Sequence, residues 1–329
     1  VTNPLTILAN GLRLLKAVWL VWRHCRGEQA GIVLSTNDPS HFYCGPAARL
    51  AGAKSVWWLS NMIPRDQAFG MIYSLFNLFR RLFCDRVICI SQAVKDSLKS
   101  QANAGVVWYP TRELPDSFPN RKQCLEQHGL ERLQDHPLVG MACRLVLWKG
   151  VQVLIEAAPA VLAEFPQARF LILGDSPHED QKRVLRDRIA ALGLNEAFIL
   201  HGFVEHPLEL INCLDVCVHA SVVPEPFGLT VLDYMQLGKA IVAAREGGIG
   251  EMLDGGSAVM VDSGDPAALA GGICRLLGSS QLRSEMGEAA RRRASGFAPA
   301  VFVEKMIRQL RQAVDSCPKS SACEQKDKE

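Results

Sequence analysis

Ten short runs of β-branched and apolar residues, interleaved with longer segments of helical periodicity, constrain this chain more than any other feature of it. Runs of that kind read as buried strands, and strands alternating with helices build a parallel sheet covered on both faces. The expected fold class is therefore α/β. Strands are expected at 31–36, 54–59, 86–90 and 105–108, with helices at 5–26, 40–52, 66–83 and 92–101. Pro110, Pro115, Pro119 and Pro137 then punctuate a polar stretch, so 112–136 reads as a linker holding one short helix. The alternation restarts with strands at 138–143, 169–173, 198–200, 215–219, 240–243 and 258–261, separated by helices at 149–164, 178–192 and 227–237. Helices at 266–277, 279–294 and 298–315 close the pattern, and the polar run 316–329 reads as a mobile tail. Two doubly wound domains, 1–111 and 137–297, are expected, with a ligand in a cleft between the carboxyl ends of their strands.

Composition narrows what such a chain can do. With 48% hydrophobic and 21% charged residues over 329 positions, disorder, collagen and a disulfide mini-scaffold are excluded. A net charge of +2 provides no field for coating nucleic acid. None of the eleven cysteines forms a C-x-x-C pair, and Cys89, Cys143, Cys213 and Cys217 sit in apolar stretches as small hydrophobes, which points to a reducing, cytoplasmic compartment. The charge is uneven. Residues 1–83 carry nine Lys/Arg against three acids, and four of the six Trp. No apolar run is long enough to span a bilayer, and Leu12–Trp22 lacks the features of a signal peptide. The helix over 66–83 spreads Phe69, Met71, Ile72, Leu75, Phe76, Leu78, Phe79, Leu82 and Phe83 widely round its surface and ends in Arg80-Arg81. Either it packs on the sheet or it meets an anionic membrane surface peripherally, on the inner face.

The chemistry concentrates in the second half. In Pro224–Ala243, Pro226 is placed for a first helical turn, so the backbone amides of Phe227, Gly228, Leu229 and Thr230 would form an anion site at the positive end of the helix. Glu225 stands just before that helix, free to reach a ligand hydroxyl, and Asp233 lies two turns in. In Gly140–Ala157, Arg144 follows a strand and Lys149 opens the next helix, so both cations can converge on a diphosphate. Gly174 and Gly202 each end a strand, where a backbone without Cβ can approach a flat ring or simply turn. REGGIGEMLDGG lacks the G-x-G-x-x-G spacing of a dinucleotide fingerprint.

In order, these segments resemble the nucleotide-sugar-binding domain of family 4 retaining glycosyltransferases of the GT-B fold, over residues 137–312. The pattern R-L-x-x-x-K-G appears as Arg144-Leu145 with Lys149-Gly150, E-x-F-G-L as Glu225 to Leu229, and G-G-x-x-E as Gly247-Gly248-Ile249-Gly250-Glu251. The resemblance implies that Arg144 and Lys149 hold the donor diphosphate, that Glu225 contacts the transferred sugar, and that Asp233, in place of the family's Glu, holds the ribose. It implies Gly174, Gly202, Phe227, Gly228, Leu229 and Thr230 as substrate-binding positions. The first half resembles the family's acceptor domain less closely: its usual opening strand and Gly-rich loop are absent, so that domain is expected to be incomplete. KSVWWLSNMIP places Trp58, Ser60 and Asn61 where His, Arg and Asp are common.

The resemblance implies a retaining, metal-independent hexosyltransferase, acting from a nucleoside diphosphate sugar to a glycan or lipid-linked acceptor in glycan or cell-envelope polysaccharide synthesis. No D-x-D pair stands ready for a metal, and no cofactor is implied. Two other readings remain open: a catalytically silent nucleotide-sugar-binding partner of another transferase, and a sugar epimerase of similar fold, which the Arg144, Lys149 and Glu225 set opposes.

Overall fold

The computed structural model describes residues 4–64, 70–254 and 256–315. The run 316–329 and the first residues of the helix expected from 66 lie outside the described residues. The chain divides into two compact units, one formed by residues up to 108 together with those from 300 on, the other by residues 109–299.

The first unit opens with α1 (Pro4–Gly27), then β1 (Ile32–Ser35), α2 (Asp38–Ala51), β2 (Lys54–Leu59), α3 (Met71–Phe83), β3 (Arg86–Cys89), α4 (Gln92–Asp96) and β4 (Ala104–Val106). Its four strands are parallel and lie in the order β1-β2-β3-β4. Asn37 starts α2 through a capping box with Ser40, and Gly52 ends it in the left-handed region. β2 runs through the core: Trp57 is fully buried, and His41 of α2 stacks on it at 4.8 Å. The helix expected over 92–101 stops at Asp96, with Ser97 as its C-cap, whose hydroxyl donates to the Val94 carbonyl.

In the second unit α5 (Arg121–Gln127) precedes β5 (Leu138–Ala142), α6 (Val151–Glu164), β6 (Arg169–Leu173), α7 (Glu179–Ala191), β7 (Phe198–Gly202), α8 (Leu208–Asn212) and β8 (Val216–His219). There follow α9 (Leu229–Gln236), β9 (Ala240–Ala244), α10 (Ile249–Met252), β10 (Val259–Val261), α11 (Pro266–Leu277) and α12 (Ser280–Ala294). All six strands are parallel, ordered β10-β9-β8-β5-β6-β7. From β5 the chain winds outward through β6 and β7, then crosses to the far side of β5 and winds the other way. The order reverses between β5 and β8, and a doubly wound sheet binds its ligands in the crevice that opens there, beyond the carboxyl ends of those strands. The core beneath is apolar throughout: Val139, Met141, Phe170, Ile172, Val216 and Val218 pack against Leu154 and Ile155 of α6 and Ile273 of α11. Each fully buried side chain of this size contributes about 1.5–3 kcal/mol of transfer free energy.

The segment expected as a linker belongs to the second unit. The last described helix, α13 (Pro299–Asp315), leaves the second unit and joins the first. There Phe302 packs edge-on against Trp58 at 5.7 Å, and the Gln309 side chain accepts from Arg86 Nε at 2.8 Å.

Candidate active site

Two loops form the crevice, and backbone contacts hold them together. Leu147–Lys149 make a single 3-10 turn after β5, and α6 begins only at Val151. Lys149 therefore does not open the helix, as expected from the sequence; it ends the turn before it. Val222 donates to the Trp148 carbonyl at 2.9 Å, which brings this turn against the loop after β8. Gly150 makes the approach tolerable: its φ is 76°, and a Cβ there would stand 1.8 Å from the Ala220 carbonyl oxygen.

The same approach determines what Glu225 touches. The sequence left this carboxylate free, whereas the structure buries it to 6% exposure. Lys149 Nζ donates to its Oε1 in an ion pair, the Ser221 hydroxyl donates to it at 2.5 Å, and His219 Nε2 lies at 3.1 Å. Burial opposes the charge, but His219 and Lys149 outweigh it and hold the carboxyl down at about 2. From behind, Gly248 N–H donates to the Glu225 carbonyl at 2.8 Å, and a Cβ on Gly247 (φ 62°) would lie 2.1 Å from that same oxygen. The double glycine that resembles half a dinucleotide fingerprint is thus a backbone rest for Glu225.

The helix expected at 227–237 also starts later. Gly228 is the N-cap and Leu229 the first helical residue, so the open amides of the first turn are those of Gly228 to Val231. Pro226 stays outside the helix because Phe227 is drawn into the core, 4% exposed and packed against Tyr109 at 5.7 Å and Phe297 at 6.1 Å. The Phe227 side chain is a core residue. Leu229 is exposed and Thr230 half-buried. Asp233 sits about one turn into α9, not two, and is buried, paired with the exposed Arg112, whose Nε lies 2.9 Å from Oδ1. Burial pushes its carboxyl up to about 6, against the pull of Arg112.

Arg144 is exposed and has no carboxylate partner among the described residues. It lies over the Trp148 ring at 5.7 Å, and Lys149 approaches that ring to 4.4 Å, so one indole gathers both cations. Arg112, Arg144, Gly174, Thr230 and Asp233 line a cavity of about 240 Å³, together with Pro207 and Ile211 at α8 and Phe203, which is 77% exposed. At its edge Gly174 (φ 141°) pairs with Gly202 (φ 95°), which does not line the cavity, Gly174 N–H donating to the Gly202 carbonyl at 2.7 Å. His219, Ser221 and Arg112 escaped the sequence reading. A histidine and a serine closing a strand carry no signal of their own, and Arg112 stood in what looked like a linker.

The first unit carries a separate charged feature. A groove of about 1270 Å³ is lined by Arg49, Lys54, Arg80, Arg81, Arg86 and Lys99, with Asp85 among them. Beside it α3, for which the sequence left sheet packing and membrane contact open, is two-faced: Phe76 and Asn77 are buried, while Met71, Ile72, Leu75, Leu78 and Leu82 are exposed. No helix among the described residues is long and apolar enough to cross a membrane. Trp58 is buried at 6% exposure, and His41 is fully buried with Nδ1 2.6 Å from the Ser35 hydroxyl, so neither occupies an open site.

The parallel α/β units and the switch-point crevice define a GT-B fold, and the comparisons with known proteins agree. HepE of Anabaena, solved in complex with UDP, superposes with a TM-score of 0.81 at 22% identity, covering 89% of this chain and 81% of that one. A glycosyltransferase from Rickettsia africae gives 0.80 at 20% identity, over 96% and 83%. Residues 126–293 match the family of glycosyl transferases group 1, and the chain belongs to that family. Among curated relatives it is 29% identical over 179 residues to the α-D-kanosaminyltransferase of Streptomyces kanamyceticus, covering 53% of this chain and 44% of that protein. It is 27% identical over 267 residues to a GDP-mannose-dependent α-(1-6)-phosphatidylinositol monomannoside mannosyltransferase of Mycolicibacterium smegmatis, covering 75% and 67%. The kanosaminyltransferase match thus spans less than half of that relative's own length.

Proposed function

We propose that this chain is a retaining, metal-independent hexosyltransferase that moves a hexose from a nucleoside diphosphate sugar to an acceptor hydroxyl in glycan or cell-envelope polysaccharide synthesis. The observation that carries this reading is the set of donors at the switch point: an exposed, unpaired Arg144, Lys149 beside it, and the first-turn amides of α9. As the bond from the anomeric carbon to the diphosphate breaks, negative charge grows on the phosphate, and preorganised cations and amides stabilise it without reorganising. Glu225 is ionised throughout the neutral range, so it is no proton donor. It accepts from sugar hydroxyls or steadies positive charge at the anomeric carbon, while Lys149 is shared between it and the diphosphate. The departing phosphate oxygen takes the acceptor's proton as the new bond forms on the same face. Asp233 with Arg112 holds the ribose, and Gly174, Gly202 and Phe203 flank the base.

On the acceptor side, the basic groove and the exposed apolar face of α3 suit a lipid-linked acceptor at an anionic membrane surface. The described cysteines are all free thiols, which suits a cytoplasmic, inner-face location. A second reading, donor binding without transfer, draws on Trp58 standing buried where the family commonly has His. Incubation with UDP-, GDP- and ADP-hexoses separates the two. The transferase reading requires release of nucleoside diphosphate and a product of unchanged anomeric configuration by NMR; protection from thermal unfolding with no turnover on any acceptor supports the second.

A further inference from the structure

Away from the donor crevice, two short helical turns of the second unit face one another. α5 carries Cys124, with His128 as its C-cap four residues on; α8 carries Glu209, with Cys213 as its C-cap four residues on. Residues four apart lie on one face of a helix, so each turn presents a pair of donors in one direction. α5 and α8 pack together, and Cys124 Sγ, a His128 ring nitrogen and a Glu209 carboxylate oxygen all lie within 4.8 Å of one another.

We propose that Cys124, His128 and Glu209 hold a zinc ion that clamps α5 to α8. A thiol, an imidazole and a carboxylate converging on one point fit zinc with water in the fourth place, whereas calcium and magnesium call for oxygen ligands. If Cys124 served packing alone, an imidazole and a carboxylate would have no reason to converge on it. The scaffold is held without the metal: Arg121 donates to Asp215 Oδ2 at 3.0 Å and to the Cys213 carbonyl at 3.1 Å. Beside the site, His201 packs edge-on to His128 at 5.5 Å, and its Nδ1 is buried with no partner among the described residues. Zinc binding displaces the Cys124 thiol proton to solvent. Because Pro207 and Ile211 at α8 also line the 240 Å³ cavity, the clamp would stiffen one wall of the donor site. The proposal stands on the ligand geometry and does not depend on the donor reading.

The test uses the full chain, purified without a histidine tag and dialysed against a weak chelator. Wild type should retain one zinc per chain by mass spectrometry, the Cys274→Ser control should retain it, and Cys124→Ser with His128→Ala should lose it. Cobalt added to zinc-stripped wild type should give a thiolate-to-cobalt charge-transfer band and intense tetrahedral bands, a readout that needs no variant to fold. Either of two results overturns the site: no zinc bound by wild type at equimolar metal, or a weak six-coordinate cobalt spectrum without thiolate bands.

Discussion

Removing Lys149 should do two things at once, and the structure separates them. Glu225 is 6% exposed, and its carboxyl lies at about 2 rather than the ordinary 4.5. That gap is worth about 3 kcal/mol of folding stability at neutral pH. The sign follows from a depressed carboxylate: the contribution is present above about 4.5 and is lost as pH falls toward about 2. Lys149→Ala leaves the charge with His219 and Ser221, so it should cost about 2–3 kcal/mol at pH 7, near the low end for breaking a buried pair. Glu225→Gln should cost less, because the amide still accepts from Ser221. In the double variant the loss should fall below the sum of the singles by about 2 kcal/mol. Urea unfolding at pH 7, repeated down to pH 3, measures all four corners of the cycle. Additive losses, or an acid transition that Lys149→Ala leaves in place, would refute the claim that this ion pair organises the site.

Arg144 offers the contrast, since it is exposed and unpaired: Arg144→Ala should lower turnover about a hundredfold with its unfolding midpoint unchanged, and wild-type turnover would remove it from the site. Asp233 should trade stability for binding. Its raised carboxyl, at about 6, makes its stabilising contribution full below about 3.8 and lost as pH rises through 6, so Asp233→Asn should gain about 1 kcal/mol at pH 8 and nothing at pH 4, as read by thermal unfolding. The same variant should weaken nucleoside diphosphate binding by roughly 1–3 kcal/mol, and calorimetry showing unchanged affinity would end its ribose role. In vesicle sedimentation the protein should follow anionic but not neutral liposomes, less so at high salt and with Arg80→Glu and Arg81→Glu together. A protein left in the supernatant with anionic vesicles at low salt points to a soluble acceptor instead.

The sheets were legible because buried parallel strands announce themselves as apolar runs, and each expected strand has its counterpart to within one or two residues at either end. Helices of four or five residues, α8 and α10, show no periodicity and escaped. The start of α9 was misplaced for a physical reason: Pro226 suits a first turn locally, but Tyr109 and Phe297, distant in sequence, hold Phe227 in the core and leave Gly228 to cap. Among site residues, Arg144, Lys149, Glu225 and Asp233 were visible as charges at strand ends or on a helix, yet their partners were not. Lys149 with Glu225, and Arg112 with Asp233, meet only once β5, β8 and α9 are laid side by side. The thiol, imidazole and carboxylate set of α5 and α8 hides likewise, because C-x-x-x-H is not a spacing that stands out alone and Glu209 comes from a distant helix.

The proposed transfer requires a diphosphate to bind at the switch point between β5 and β8. Titration calorimetry with a nucleoside, its monophosphate and its diphosphate, on wild type and Arg144→Ala, tests this directly. Affinity should rise steeply from nucleoside to diphosphate in wild type, weaken with salt, and lose most of that rise in Arg144→Ala, while nucleoside binding stays the same. Equal affinity for nucleoside and diphosphate, or a diphosphate affinity that Arg144→Ala leaves untouched, would contradict it.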